Sequence, residues 1–258
     1  MTVMTRQLVM LIVVGLACLA GGVGCIKIDA TLSIARDGSG SFRTVYAMPA
    51  FLIKQMDVTR QWTRSLALAE GKSTITPPPK LEIPMIFDET VLKGYFAAMS
   101  ADGITLESLK TRDQGGWKYV DFNLKFTRLD GLMRQPCFKD CGVAFKAIGN
   151  DTCKLTVTPP PSGDVSGDAT SSSDGMAKLT PFVNGLRVVV RIDLPGEIRN
   201  STALMSDSRR ATWEWDFDKD ARAIGRLGRE SLVVVFDGSQ SRIREFEKAA
   251  GSTLPIIK

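Results

Sequence analysis

The chain has no histidine among its 258 residues. That absence removes the commonest general base, the Ser/His and Cys/His nucleophile pairs, and every His-ligated zinc site. Aromatic residues are scarce, at 7%. Charge of one sign is lacking too: 33 Lys and Arg stand against 28 Asp and Glu, a net +5. So diffuse a surplus does not demand nucleic acid as a partner, and no nucleic-acid partner is expected. The apolar run at the N-terminus, residues 8–19, is twelve residues long, against the roughly 20 that cross a bilayer. What is present, 44% hydrophobic and 24% charged residues, has the proportions of a globular protein and excludes wholesale disorder or a multi-span membrane protein.

Residues 1–24 carry one charge, Arg6, then the apolar run, then small residues, the order of a secretory signal. The segment closes Leu19-Ala20-Gly21-Gly22-Val23-Gly24-Cys25 and resembles a bacterial lipobox, in which the cysteine is acylated and becomes the mature first residue. Gly22 stands where such boxes usually carry Leu. Cys18 is the competing cysteine, but it still lies in the apolar run, whereas a strand pattern begins at Ile26. The alternative is a plain signal peptide with an incidental cysteine. A diacylglyceryl group plus an amide-linked chain such as palmitate supplies several buried chains, enough for stable anchoring where one is marginal. Ile26, rather than Asp, follows the cysteine, which in a diderm host favours the outer membrane.

The 234 residues left after removal of 24 from 258 suffice for one sizeable domain. Ile26, Ile28, Ala30, Leu32 and Ile34 alternate with polar residues, and Asp37-Gly38-Ser39-Gly40 leads to a returning strand over 42–48, a hairpin. Phe51, Val58, Trp62, Leu66 and Ala69 recur at helical spacing, predicting an amphipathic helix over 50–70. Asp88 is placed to cap a second helix with the stripe Val91, Leu92, Tyr95, Phe96 and Met99. A second hairpin is expected over 104–112 and 117–126, shorter strands over 143–147 and 152–158, and further strands over 186–194, 211–217 and 231–237. Residues 239–250 read as a short helix. The expected fold class is α+β, an antiparallel sheet built from hairpins and covered by the two amphipathic helices. Residues 25–236 are expected to form a single envelope domain with a mobile loop at 159–176, rich in Pro, Gly, Ser and Asp, a segment that could also mark a domain boundary, and 237–258 a C-terminal helix and tail.

Several landmarks resemble the LppM-type family of bacterial lipoproteins: Cys25 leading into Ile28-Asp29-Ala30-Thr31-Leu32 and Asp37-Gly38-Ser39-Gly40, then a strand over 188–194 running into Pro195-Gly196-Glu197-Ile198, Asn200-Ser201 and Ala211-Thr212-Trp213. The 159–176 segment departs from the pattern. The resemblance implies an exported α+β domain related in shape to lipid-binding modules and anchored to the envelope. It implies no catalytic residues.

Asp216, Asp218 and Asp220 have calcium-loop spacing, but Ala221 and Leu227 stand where the turn glycine and bidentate Glu belong, so a polar turn is expected and no metal or cofactor is assigned. Asp37-Gly38-Ser39-Gly40 lacks the Lys-Ser/Thr ending of a phosphate loop. Cys137, Cys141 and Cys153 permit one disulfide, from Cys137 or Cys141 to Cys153. Arg209, Arg210, Arg222, Arg226, Arg229, Arg242, Arg244 and Lys248 could face anionic headgroups, although acidic neighbours dilute them. The function expected is a membrane-anchored, non-enzymatic envelope lipoprotein that binds lipid or another amphiphile between its sheet and helices, with Tyr95, Phe96 and Met99 beside Trp62 forming either the wall of that site or ordinary core. The alternative is a tethered interaction or assembly factor for an envelope protein partner, without a small-molecule ligand. In Pro195-Gly196 the expectation is a type II turn with Gly196 at positive φ.

Overall fold

The structure, a computed structural model, describes residues 26–69, 85–135, 138, 141–159, 185–220 and 222–248. The 159–176 segment therefore lies almost wholly outside the described residues. Strand β1 (Lys27–Ile34) buries Ile28, Ala30, Leu32 and Ile34 and pairs antiparallel with β2 (Gly40–Pro49), Lys27 opposite Ala47 and Ile34 opposite Gly40. Helix α1 (Ala50–Ala69) follows directly on β2. After a 3-10 turn at Met85–Phe87 comes α2 (Glu89–Ala97), capped as expected: the Asp88 carboxylate accepts the Thr90 and Val91 amides at 2.8 and 3.0 Å. Strands β3 (Ile104–Gln114) and β4 (Trp117–Phe126) are joined by Gly115 and Gly116. Both have positive φ, 59° and 79°, the backbone of a tight primed turn that suits the strands' twist.

The rest of the described chain is α3 (Leu129–Met133), β5 (Gly142–Gly149), β6 (Thr152–Thr158), β7 (Arg187–Asp193), β8 (Ile198–Ser201), β9 (Met205–Ser206), β10 (Arg210–Asp216), α4 (Ala223–Leu227), β11 (Leu232–Asp237) and β12 (Phe246–Lys248). These strands form two sheets. The larger has the order β3-β4-β2-β1-β7-β10-β9 and the smaller β12-β5-β6-β11-β8. Among the described pairings only β1–β7 is parallel. Their inner faces share one core, with Tyr46, Met48, Leu124 and Trp213 from the larger sheet and Phe145, Leu155 and Phe236 from the smaller.

The fold thus differs from a single sheet roofed by two helices. Among the described residues it is mostly β, 49% strand and 21% helix, and the second sheet takes much of the role expected of the helices. Helix α2 does cover part of the large sheet: Leu92 and Phe96 are buried, and the Phe96 ring lies 4.8 Å from that of Phe122. Helix α1 does not. Of its described side chains, Leu52, Ile53 and Met56 in the first two turns touch the core, while Phe51, Val58 and Trp62 are exposed.

The C-terminal helix is also corrected. From 239 to 245 the chain is irregular, and Phe246–Lys248 becomes β12, an edge strand antiparallel to β5. A period of two prevails because Phe246 stacks on Phe145 and Lys248 turns inward to 3% exposure, its ammonium donating to the carbonyls of Met133 and Phe138. Residues 249–258 lie outside the described residues.

Between β7 and β8 the chain leaves one sheet for the other at Pro195-Gly196. Gly196 is not among the glycines at positive φ, so the expected type II turn is not what fixes it. A Cβ there would lie 1.8 Å from the carbonyl oxygen of Asp237 on β11, and the Asp237 amide bonds the next carbonyl, that of Glu197, at 2.8 Å. The requirement is close backbone approach. Gly196→Val is expected to destabilise the domain by about 1 to 3 kcal/mol or more, and Glu197→Ala, at an exposed side chain, by less than about 0.5 kcal/mol. Urea melts of both variants check this; a Gly196→Val protein of full stability would show that the two sheets need not approach here.

Candidate functional site

Residues 1–25, and with them the lipidation candidate Cys25, lie outside the described residues. The domain begins at once after them: Ile26 is 3% exposed and β1 starts at Lys27. Register places a cross-sheet row at this edge, running Arg112, Tyr119, Ala47, Lys27, Arg187, Asp216, each opposite the next on the neighbouring strand. All alternate to the outer face. The Lys27 ammonium lies 4.3 Å from the Trp117 ring centroid, and the Arg112 guanidinium 4.8 Å from that of Tyr119, cation–π contacts worth roughly 0.5 to 1 kcal/mol at exposed sites. A depression of about 150 Å³ opens between them, lined by Lys27, Asp29, Val45, Tyr119 and Arg187 with buried Ala47 and Val189 as floor.

Helix α1 starts at the same edge. Pro49 is opposite Trp117, and the Ala50 amide donates to the Gly116 carbonyl at 2.8 Å. At ~100° per residue, Leu52, Ile53 and Met56 share the face that meets the core, while Phe51, Val58 and Trp62 fall on a stripe roughly opposite. That second stripe is in water: the three are 59%, 65% and 69% exposed. The sequence stripe is therefore real but faces outward, because the two-turn patch beside it fills the contact with β2. The side chains of Leu66 and Ala69 lie outside the described residues.

The expected ligand wall does not form as a unit. Phe96 and Met99 are core residues, 1% and 4% exposed, Tyr95 packs edge-on against Phe96, and Trp62 stands apart in solvent. A second depression, about 420 Å³, lies on the outer face of the smaller sheet beside Lys146, Lys154, Thr156 and Glu247, where the sequence marked two short strands and a helix but no site.

Other sequence candidates resolve locally. Cys137 is outside the described residues. Cys153 carries a free thiol on β6 opposite Ala147. Cys141 precedes β5, six residues from Ala147 along the chain, about 20 Å in a strand, whereas a disulfide needs Cα atoms within about 7 Å. A Cys141–Cys153 bridge is thus corrected by register. Burial pushes the Cys153 thiol up, which disfavours the reactive thiolate. Asp216, Asp218 and Asp220 are spent in a turn: Asp216 accepts the Asp218 amide, Asp218 the Gly185 amide, and Asp220 pairs with Arg226. The basic series does not form one patch, since Arg210 pairs with Asp193, Arg226 with Asp220, and Lys248 is buried.

The outer face of the large sheet is laced by ion pairs across its strands, Arg43–Asp121, Arg191–Asp29, Arg187–Glu214 and Arg210–Asp193. Asp193 is the most engaged, accepting from Arg210 through both oxygens, at 2.5 and 2.9 Å, and from Ser33 at 2.9 Å. Burial opposes its ionisation, but the Arg210 and Ser33 hydrogen bonds outweigh it and hold the carboxyl below its ordinary value of 3.8. A depressed folded pKa gives stability that is complete above the unfolded value and lost as pH falls through the folded one. Asp193→Asn is expected to cost about 1 kcal/mol near pH 7 and progressively less below about pH 4. Denaturant melts of both proteins across that range check it; a penalty independent of pH would refute the assignment.

No protein-family profile matches the chain, and no curated protein matches it. Among solved structures, the NMR structure of the folded domain of the Mycobacterium tuberculosis LppM protein is similar, at 12% identity and a TM-score of 0.40, covering 83% of this chain and 91% of that one.

Proposed function

We propose that the protein is a bacterial envelope lipoprotein, non-enzymatic, held to a membrane by acyl chains on Cys25 and binding lipid or another amphiphile. One observation carries this reading: the cleavage-and-acylation pattern ends at Cys25, and the next residue, Ile26, is already buried in the domain. No helix among the described residues is long and apolar enough to cross a membrane, so anchoring in this reading rests on the acyl chains, of which two or more hold stably. The lack of histidine in the sequence and the commitment of the spaced carboxylates to turn and ion-pair contacts support a non-enzymatic role. In a diderm host, Ile26 after the cysteine favours the outer membrane.

The lipid contact of this reading belongs on the outside of the domain, because the α2 stripe is packed into the core. Cell fractionation tests the anchor. The natural protein is expected in the membrane fraction with acyl mass on its first residue, and Cys25→Ser is expected to leave that fraction or be mislocalised with its leader uncut. A Ser variant that stays in the detergent phase at unchanged mature length would sink the assignment.

A further inference from the structure

We infer that the outward stripe of α1, Phe51, Val58 and Trp62, is a bilayer-contact face, and that its occupant is the headgroup and upper acyl region of the membrane holding Cys25. The inference rests on the anchor reading for its geometry, and on exposure and placement for its chemistry.

The tether sets the distance. From Cys25 to the first strand residue there are two residues of chain, about 7 Å when extended. The polar layer of one leaflet is itself roughly 5 to 7 Å thick. An acylated Cys25 therefore leaves no spacer, and the sheet edge at Lys27 must sit in or on that layer. Helix α1 leaves from this edge, since Lys27 is opposite Ala47 and Ala50 bonds the β3–β4 turn. The tether thus brings the membrane to the helix.

The stripe has the chemistry of an interfacial helix. Helix α1 carries apolar residues on opposite sides: Leu52, Ile53 and Met56 satisfy the core, and a surface helix needs no second apolar stripe unless something covers it. Phe51, Val58 and Trp62 are spaced seven and four residues apart and are each more than half exposed. The surroundings agree. Trp117 and Tyr119 lie at the same edge beneath Lys27 and Arg112, and indole, phenol and long basic side chains are the groups that settle at the membrane–water boundary. The charges there lie near balance: Lys27, Lys54, Arg112, Lys118 and Arg187 stand with Asp29, Asp57, Asp113, Glu214 and Asp216, and Arg187 is drawn toward Glu214 and Asp216. The apolar stripe and the aromatic edge, not net charge, supply the affinity for the boundary. An in-plane helix of this kind buries its apolar face about 5 to 10 Å into the boundary.

The test uses the full protein mixed with vesicles of phosphatidylethanolamine and phosphatidylglycerol brominated near the headgroup or near the chain end. Trp213 and Trp215 are 1% and 3% exposed, so quenchable emission belongs to Trp62 and Trp117. Emission is expected to be quenched more by the shallow bromine, with a large share of that quenching lost in Trp62→Phe and in Phe51→Ser/Val58→Ser/Trp62→Ser. Circular dichroism and melting should be unchanged, as these side chains are exposed. Acyl mass on Cys25 is read on the same samples. Quenching identical in wild type and Trp62→Phe overturns the inference while an acylated Cys25 leaves the anchor standing. Selective quenching with no acyl mass keeps the contact face and removes the anchor. A lipid-independent dimer abolished by the triple variant overturns the inference in favour of a second copy as occupant, and a Trp62 quenched equally by acrylamide with and without vesicles overturns it in favour of water.

Discussion

Strand β1 is the constraint on which the rest of the structure depends. It lies fourth of seven in the large sheet, with β2 on one side and β7 on the other. The β2 partner follows within a few residues, but β7 begins 153 residues after the end of β1, counting from Ile34 to Arg187. The parallel register from Lys27–Arg187 to Ser33–Asp193 unites the N-terminal hairpins with the C-terminal strands. Closing so long a loop costs entropy before any contact repays it, which makes this pairing a natural slow step in folding. Once β7 is docked, Pro195-Gly196 carries the chain across to the smaller sheet against the backbone of Asp237, and the two inner faces close on one core.

Elements whose periodicity is strong and whose partner is close in sequence were legible from residues alone. The β1–β2 and β3–β4 hairpins, the Asp88 cap, and the strands at β5, β6, β7, β10 and β11 fall where alternation and turn residues place them. What sequence could not supply was the assignment of strands to sheets. Two sheets that bury their alternate residues against each other have the same period as one sheet buried by helices, so composition led toward an α+β layer where the molecule is mostly β. Short edge strands were missed for a different reason. Strands β8, β9 and β12 span four, two and three residues, too few for a period to register, and β12 exists because Phe145 on β5 offers Phe246 a ring to stack on.

The site was legible in its parts and not in its orientation. Helical spacing marked Phe51, Val58 and Trp62 as one stripe, yet a periodic stripe carries no sign for inside or outside. The discriminating feature is the second patch, Leu52, Ile53 and Met56, whose contact with the core only a three-dimensional arrangement reveals. The Lys27–Trp117 and Arg112–Tyr119 pairs are separated by 90 and 7 residues in sequence, and they meet because strand register aligns them. Gly196 illustrates the converse. Its requirement was visible, but the reason was a neighbouring carbonyl and not its own dihedral.

The position of β1 also decides how the domain bears force. A pull on the N-terminal end of β1 runs along the axis of a strand flanked on both sides, from Lys27 toward Ile34. The hydrogen bonds to β2 and β7 lie across that direction and are loaded in shear, all together, so that extraction must break both ladders in concert. An edge strand peeled sideways would instead give way one bond at a time. A load entering the middle of the large sheet through β1 therefore meets one of the mechanically strongest parts of the described domain, and short peripheral strands such as β9 and β12 would strain before β1 was drawn out.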